Sequence, residues 1–429
     1  MSVLSKSGLY IQEIADKDFL VKGFQEVAKN PYHKDNNPKG IINLGTAENK
    51  LMYDVLSKKL AEPDLHIWRK DMLMYSNIAG YYEFRETIAE FLTKRTNAVT
   101  PLDPNKMAVM NGCGSVIETI AFAVSDAGDV WLTPAPYYGG LLTDSCLRAK
   151  VDIFPVHLYS KIEENETQQY ELTPEKLEKC LKDARSKDLN VRGLFLMNPQ
   201  NPLGIIYSKE VISACLKFCN KHSLHIIFDE IYLTGGFVED VQTTSILQFK
   251  PEDIPDPERT HFIWGFSKDF AMSGMRVGLY YGFSDVVRKQ ILSQCRFTQI
   301  PGFIQIMLSK MLKDEDWVDN VYYPTNQKRL KEGYEIVTRE LKSIGVPYLE
   351  ACSGLYVYCD FRKFLKENTI EMEEDLWMKF IAAGVYICPS QAFFSDEFGW
   401  FRVIFADEKV KLELSMERIK KVCSELQRG

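Results

Sequence analysis

A lysine that follows a serine at the end of an apolar run can act as a reactive amine rather than a solvated surface charge. The chain carries one in GFSKDFAMSGMRVG (265–278), where Lys268 follows Ser267 and Arg276 comes eight residues later among glycines. HIIFDEIY (225–232) brings Asp229 to the end of a second apolar run, with Tyr232 just beyond it. A carboxylate in that place either caps a helix or serves a site. In MNPQNPLG (197–204), two Asn-Pro steps hold Asn201 in a tight, extended turn. VMNGCGSVIE (109–118) sets Gly114 and Ser115 where a strand gives way to a helix, and the free N–H groups of a helix start can cradle an anion. PAPYYGG (134–140) offers the aromatic pair Tyr137 and Tyr138. GWFRVIFA (399–406) puts Arg402 inside an apolar strand, where an unpaired guanidinium is costly and calls for an anionic partner. Taken singly, these are a surface lysine, a helix cap, loops and a glycine-rich turn. Taken together, they supply an amine, a carboxylate, an amide, a phenol, an aromatic plate, an anion cradle and a cation for a carboxylate.

Most of these signals follow a short apolar run that reads as a strand. KMAVM (106–110), DVWLT (129–133), VDIFPV, GLFLMN (193–198), LHIIFDE (224–230) and HFIWGF (261–266) alternate with several helical patterns. Strands separated by helices favour a mostly parallel sheet covered on both faces. Its ligand is then expected beyond the carboxyl ends of the strands. After about residue 310 a long charged helical segment leads to GLYVYCDF (354–361), a helix near 371–383, a short strand VYIC, the strand WFRVIFA (400–406) and a final amphipathic helix. The reading is three parts: residues 1–50 as an N-terminal arm with part of a small domain, including the strand IINLG (41–45); residues 51–310 as a large domain; and 311–429 as a small C-terminal domain. The stretches 159–168 and 249–260 read as exposed insertions.

Composition sets bounds on partners. With 52 basic and 59 acidic residues the net charge is −7, so no global basic field recruits nucleic acid or anionic lipid. No apolar run reaches the roughly 18 residues of a membrane helix, and the start MSVLSKSGLY lacks a signal-peptide core. The ten cysteines form no CxxC pair, and Cys215 and Cys219 sit in an amphipathic helical stretch without a completing cluster. They read as buried, reduced thiols of a cytoplasmic protein with no metal site.

The assembled groups are those that a pyridoxal phosphate site requires. In order and spacing, NPKGIINLGTAENKL, PQNPLG, SKDF with the following MSG and Arg276, and GWFR resemble the fold type I, class I aminotransferases, from about residue 37 to the C-terminus. Within that family the chain is most similar to the aminocyclopropane-carboxylate synthase branch and its animal synthase-like members. The resemblance implies an α/β fold, with a mostly parallel seven-stranded sheet in the large domain and a smaller α/β C-terminal domain. It implies pyridoxal 5′-phosphate as cofactor. Lys268 is then the Schiff-base lysine and the base at the substrate Cα. Asp229 pairs with the pyridine nitrogen, Asn201 and Tyr232 with the ring oxygen, and Tyr138 stacks on the ring. Gly114, Ser115 and Ser267 hold the phosphate with Arg276, and Arg402 grips the substrate α-carboxylate, with Gly45 and Glu48 nearby. The resemblance further implies a homodimer in which Tyr75 reaches the partner's phosphate, and amino acid and 2-oxo acid substrates.

Three departures bear on the reaction. Gly265 stands where the family usually carries a phosphate-binding serine, and Ser267 is the available substitute. Ile78, in YSNIAGYYEF (75–84), stands where the synthases have a tyrosine that steers ring closure, and Thr46 breaks the pattern beside Glu48. Ile78 favours amino transfer to a 2-oxo acid through Lys268; the alternatives are elimination or γ-displacement such as cyclopropane formation from S-adenosylmethionine, and a retired enzyme kept as a binding scaffold.

Overall fold

The computed structural model describes residues 3–16, 19–163, 166–238, 241 and 243–428. Its central sheet contains β2 (Met107–Met110), β3 (Val130–Ala135), β4 (Asp152–His157), β5 (Val191–Met197), β6 (His225–Asp229), β7 (Thr260–Gly265) and β8 (Gly278–Gly282). Their spatial order is β2-β8-β7-β6-β5-β3-β4. The neighbours β3–β4, β3–β5, β5–β6 and β6–β7 run parallel, and β8 is antiparallel to both β2 and β7. Every residue of β2, β3, β6, β7 and β8 is buried, as expected for a sheet with helices on both faces. This is the mostly parallel seven-stranded α/β sheet expected from the sequence. β8 was not foreseen: GLYYG follows so closely on MSGMRV that it reads as part of the same motif.

A second, three-stranded antiparallel sheet joins β11 (Cys388–Pro389), β12 (Trp400–Ile404) and β9 (Tyr356–Asp360) in that order. VYIC does not form one strand. β10 (Val385–Tyr386) pairs in parallel with β1 (Ile42–Asn43), and only Cys388 turns into the three-stranded sheet. Residues 41–50 therefore run beside the C-terminal elements. Ile404 donates its N–H to the Leu44 carbonyl at 2.9 Å, Lys50 donates its N–H to Ala406 at 3.0 Å, and the Lys50 ammonium pairs with buried Asp407 at 2.8 Å.

The helices that matter for the site are α1 (Lys6–Asp16), α2 (Phe19–Lys29), α3 (Cys113–Val124), α4 (Gly140–Cys146), α5 (Lys209–His222), α6 (Tyr323–Ser343), α7 (Ile370–Ala382) and α8 (Lys409–Arg428). The N-terminal arm thus contains two helices, and α2 buries Phe19 and Gly23. α5 begins at Ser208, whose hydroxyl accepts from the Val211 N–H, and it turns Cys215 and Cys219 inward. All ten cysteines are free; Cys113 and Cys352 are half-buried and the other eight are buried. Of the two expected insertions, 159–168 is mostly exposed with Ser160 buried, and residues 164 and 165 lie outside the described residues. The stretch 249–260 is pinned by buried Phe249 and Ile254. Among the described residues no helix is long and apolar enough to cross a membrane, and no group of three or more His, Cys, Asp or Glu is placed to hold a metal ion.

Candidate active site

Five strand ends on one edge of the sheet converge on a cavity of about 260 Å³. β6 ends at Asp229 and β7 ends at Gly265, after which a helical turn (Phe266–Asp269) presents Ser267 and Lys268. β5 leads to Asn201, β3 to Tyr138, and β2 to the start of α3 at Cys113 and Gly114. Arg402 enters from β12, opposite the sheet, and Gly45 and Ala47 close the cavity from the N-terminal segment. This is the carboxyl-end position that an open α/β sheet gives its ligand.

The Lys268 ammonium donates to the Ala47 carbonyl at 2.5 Å. Burial and the nearby Arg402 charge together pull its pKa from 10.5 to about 8, against the opposing pull of Glu48. Asp229 is 2% exposed, and one of its carboxylate oxygens accepts the Ile231 N–H at 3.2 Å. Burial raises this carboxyl to about 7, with Asp144 adding to the rise and Lys268 opposing it. Tyr232 is buried edge-on to Tyr356, ring centroids 5.5 Å apart, and burial raises its phenol well above the ordinary range. Tyr138 lines the cavity, whereas Tyr137 stacks on Phe394 at 4.8 Å outside it.

Arg402 is 3% exposed and has no carboxylate partner among the described residues. Its two terminal nitrogens donate to the Asn201 side-chain oxygen at 2.7 Å and the Gly45 carbonyl at 2.5 Å. Nε has no hydrogen-bond partner. The guanidinium lies between the rings of Tyr356 (5.2 Å) and Phe393 (4.7 Å). Among the described residues no side chain supplies the anion expected for this buried cation, and its charge faces the cavity.

Other expected positions fall differently. Ser115 is not in the cavity wall; its hydroxyl donates to the Asn111 side chain at 2.5 Å. The groups placed to receive an anion are instead the first N–H groups of α3, with Arg276 alongside. Gly112 has φ +100°, and a Cβ there would meet the Arg276 guanidinium at 2.6 Å, so only glycine lets that arginine lie against the helix start. Glu48 is exposed, outside the cavity wall, and accepts the Ser273 hydroxyl at 3.2 Å. Tyr75 is fully exposed and Ile78 is 37% exposed; neither lines the cavity. Arg85 is buried away from the cavity and donates to the carbonyls of Gly80 and Pro104. Asp144, Cys113, Ala47, Tyr386, Phe393 and the α2 residues Leu20 and Phe24 line the cavity without having been foreseen. Of these, Cys113 inside NGCGS and Ala47 inside NPKGIINLGTAENKL stood in segments already marked.

The cavity tests well for pyridoxal 5′-phosphate. It holds the Lys268 amine, a carboxyl raised to about 7, an aromatic side chain, a helix start with an arginine beside it and a buried cation that has no carboxylate partner among the described residues. A model of the family described as aminotransferase class I and II matches residues 39–419. The chain is 38% identical over 405 residues to "1-aminocyclopropane-1-carboxylate synthase-like protein 1" of Bos taurus, covering 94% of this chain and 80% of that one. It is 40% identical over 420 residues to the human "Probable inactive 1-aminocyclopropane-1-carboxylate synthase-like protein 2", covering 97% and 74%. Its fold is similar to that of the Thermus thermophilus aspartate aminotransferase with maleate, at TM-score 0.73 and 19% identity over 98% of this chain and all of that one. The chain belongs to the class I and II aminotransferase family, whose cofactor is pyridoxal 5′-phosphate.

Proposed function

We propose that this chain transfers the amino group of an α-amino acid to a 2-oxo acid. The observation that carries this reading is Arg402, a buried guanidinium with no carboxylate partner among the described residues, opening on the same cavity as the Lys268 amine. A carboxylate that enters gains a charge-assisted pair from Arg402, which sets the substrate Cα toward Lys268.

When bound, pyridoxal 5′-phosphate supplies an electron sink for the carbanion at Cα. Asp229, as the carboxylate, would hold the proton on a ring nitrogen, because pairing with a cation offsets the burial that otherwise raises its carboxyl to about 7. Tyr138 would hold the ring face, and Asn201 and Tyr232 would hydrogen-bond the ring oxygen. The Lys268 amine, drawn down to about 8, is the base that takes the Cα proton and returns it. Arg276 and the start of α3 would hold the phosphate.

The chain acts as a homodimer. Trp68, Leu73, Met74 and Tyr75 form an exposed apolar run on the surface, and the second copy covers it. Mixing the loaded protein with amino acid alone tests the reaction. Transfer predicts that the cofactor spectrum shifts once and stops until a 2-oxo acid is added. Continuous product without an acceptor would instead mean elimination or ring closure.

A further inference from the structure

Gly265, at the end of β7, lies beside the anion cradle, and its φ of −176° is extended backbone that any residue adopts. Space, not conformation, excludes a side chain there. A Cβ on residue 265 would meet the Val277 carbonyl at 2.6 Å, the Cys113 sulfur at 2.9 Å and the Ile231 side chain at 3.2 Å. Two of these neighbours are rigid backbone or packed core, and the third is the first side chain of α3.

Cys113 lines the cavity together with Ser267, Lys268 and Arg276. Its thiol currently donates to the Trp264 carbonyl at 3.3 Å. Burial pushes that thiol well up, while Lys268 and Arg276 are near enough to pull against the rise. It therefore stays protonated, and a rotation away from the Trp264 carbonyl would bring its one S–H, a weak donor, to an anion in the cradle. Ser115, the neighbouring hydroxyl, is turned away to Asn111.

We infer that Cys113 is the side-chain donor of the phosphate cradle in this chain, and that its sulfur fills the space a side chain at position 265 would need. The two positions share one side chain's volume. A hydroxyl introduced at 265 is then harmful rather than helpful while the sulfur is present. This rests on the proposed cofactor cavity but not on the reaction that follows.

The test is binding, measured by fluorescence titration of the cofactor-free full chain with pyridoxal 5′-phosphate and, separately, with pyridoxal, which lacks the phosphate. Cys113→Ala should weaken pyridoxal 5′-phosphate about threefold to tenfold and leave pyridoxal unchanged. Cys113→Ser, with a stronger donor of similar size, should bind the phosphate ester as tightly as the unaltered chain or more tightly. Gly265→Ser should lower affinity. Circular dichroism checks that each variant folds, and the serine variant at 113 stands in should the alanine variant fail. Equal affinity of Cys113→Ala for the phosphate ester, an equal loss for pyridoxal, or tighter binding by Gly265→Ser would each overturn the inference while leaving the reading of Lys268 intact. Failure of the unaltered chain to bind the cofactor at all would overturn both.

Discussion

Replacing Arg402 with lysine keeps the charge and removes the fork. In the structure the guanidinium already spends one terminal nitrogen on Asn201 and the other on Gly45, with Nε unpartnered. A planar group between two aromatic rings can turn these same nitrogens onto a carboxylate in a bidentate pair. An ammonium offers one contact in place of two, and its point charge does not stack between Tyr356 and Phe393. Losing one hydrogen bond between charged groups costs about 1.5–3 kcal/mol. At 1.4 kcal/mol per decade, that is roughly a tenfold to hundredfold rise in the apparent Kd for an amino acid. The assay is a titration of the bound cofactor's spectrum with amino acid and, in parallel, with the corresponding amine that lacks the carboxylate. The amine should bind the variant and the unaltered chain alike. A change below threefold for the amino acid, or an equal loss for the amine, would refute the assignment of Arg402 to the carboxylate.

Three further outcomes follow from the same structure. The Lys268 amine releases its proton at about 8 when folded and at 10.5 when free, so the folded, cofactor-free protein is penalised at all pH below 8, and the penalty disappears as pH rises from 8 to 10.5. Lys268→Met should therefore stabilise the cofactor-free protein at pH 7 by on the order of 3 kcal/mol, a gain in melting temperature that vanishes by about pH 11; a gain independent of pH would contradict the cause. Glu373, fully buried on α7, accepts the Ser390 hydroxyl at 2.5 Å and the N–H groups of Gln391 (3.1 Å) and Gly399 (2.5 Å), and so ties down the loop that carries Phe393 and leads into β12. Glu373→Gln should cost about 1–3 kcal/mol in denaturant unfolding and raise the amino acid Kd with it; unchanged stability would sink that role. Sedimentation should give twice the 49.4 kDa chain mass, and Leu73→Glu should shift the distribution toward monomer; a monomeric unaltered chain would remove the dimer proposal.

The sequence made the strand ends legible because each chemical residue follows an apolar run closely. Asp229, Lys268, Asn201 and Tyr138 sit within a few residues of a buried strand, so topology alone brings them to one edge. Arg402 was legible for a different reason: a charge in an apolar strand has few tolerable explanations. Residues whose contribution depends on long-range folding were not legible. Leu20 and Phe24 reach the cavity because α2 crosses to it, and Tyr386 because β10 pairs with β1 more than three hundred residues earlier. Local geometry also overrode residue type. Ser115 has the hydroxyl but turns toward Asn111, whereas Cys113 lines the cavity. Glu48 matches the family pattern and lies near enough to influence Lys268, yet it points to Ser273 at the surface. β8 was missed because a short antiparallel strand rich in glycine lacks the apolar run that marks its neighbours.

The most direct measurement of the central claim is borohydride reduction of the purified, cofactor-loaded protein followed by peptide mass analysis. The account predicts a yellow protein that, after reduction, carries one pyridoxyl phosphate on the peptide containing Lys268 and no other. A protein that takes up no cofactor, or one labelled at a different lysine with Lys268 unmodified, would contradict it.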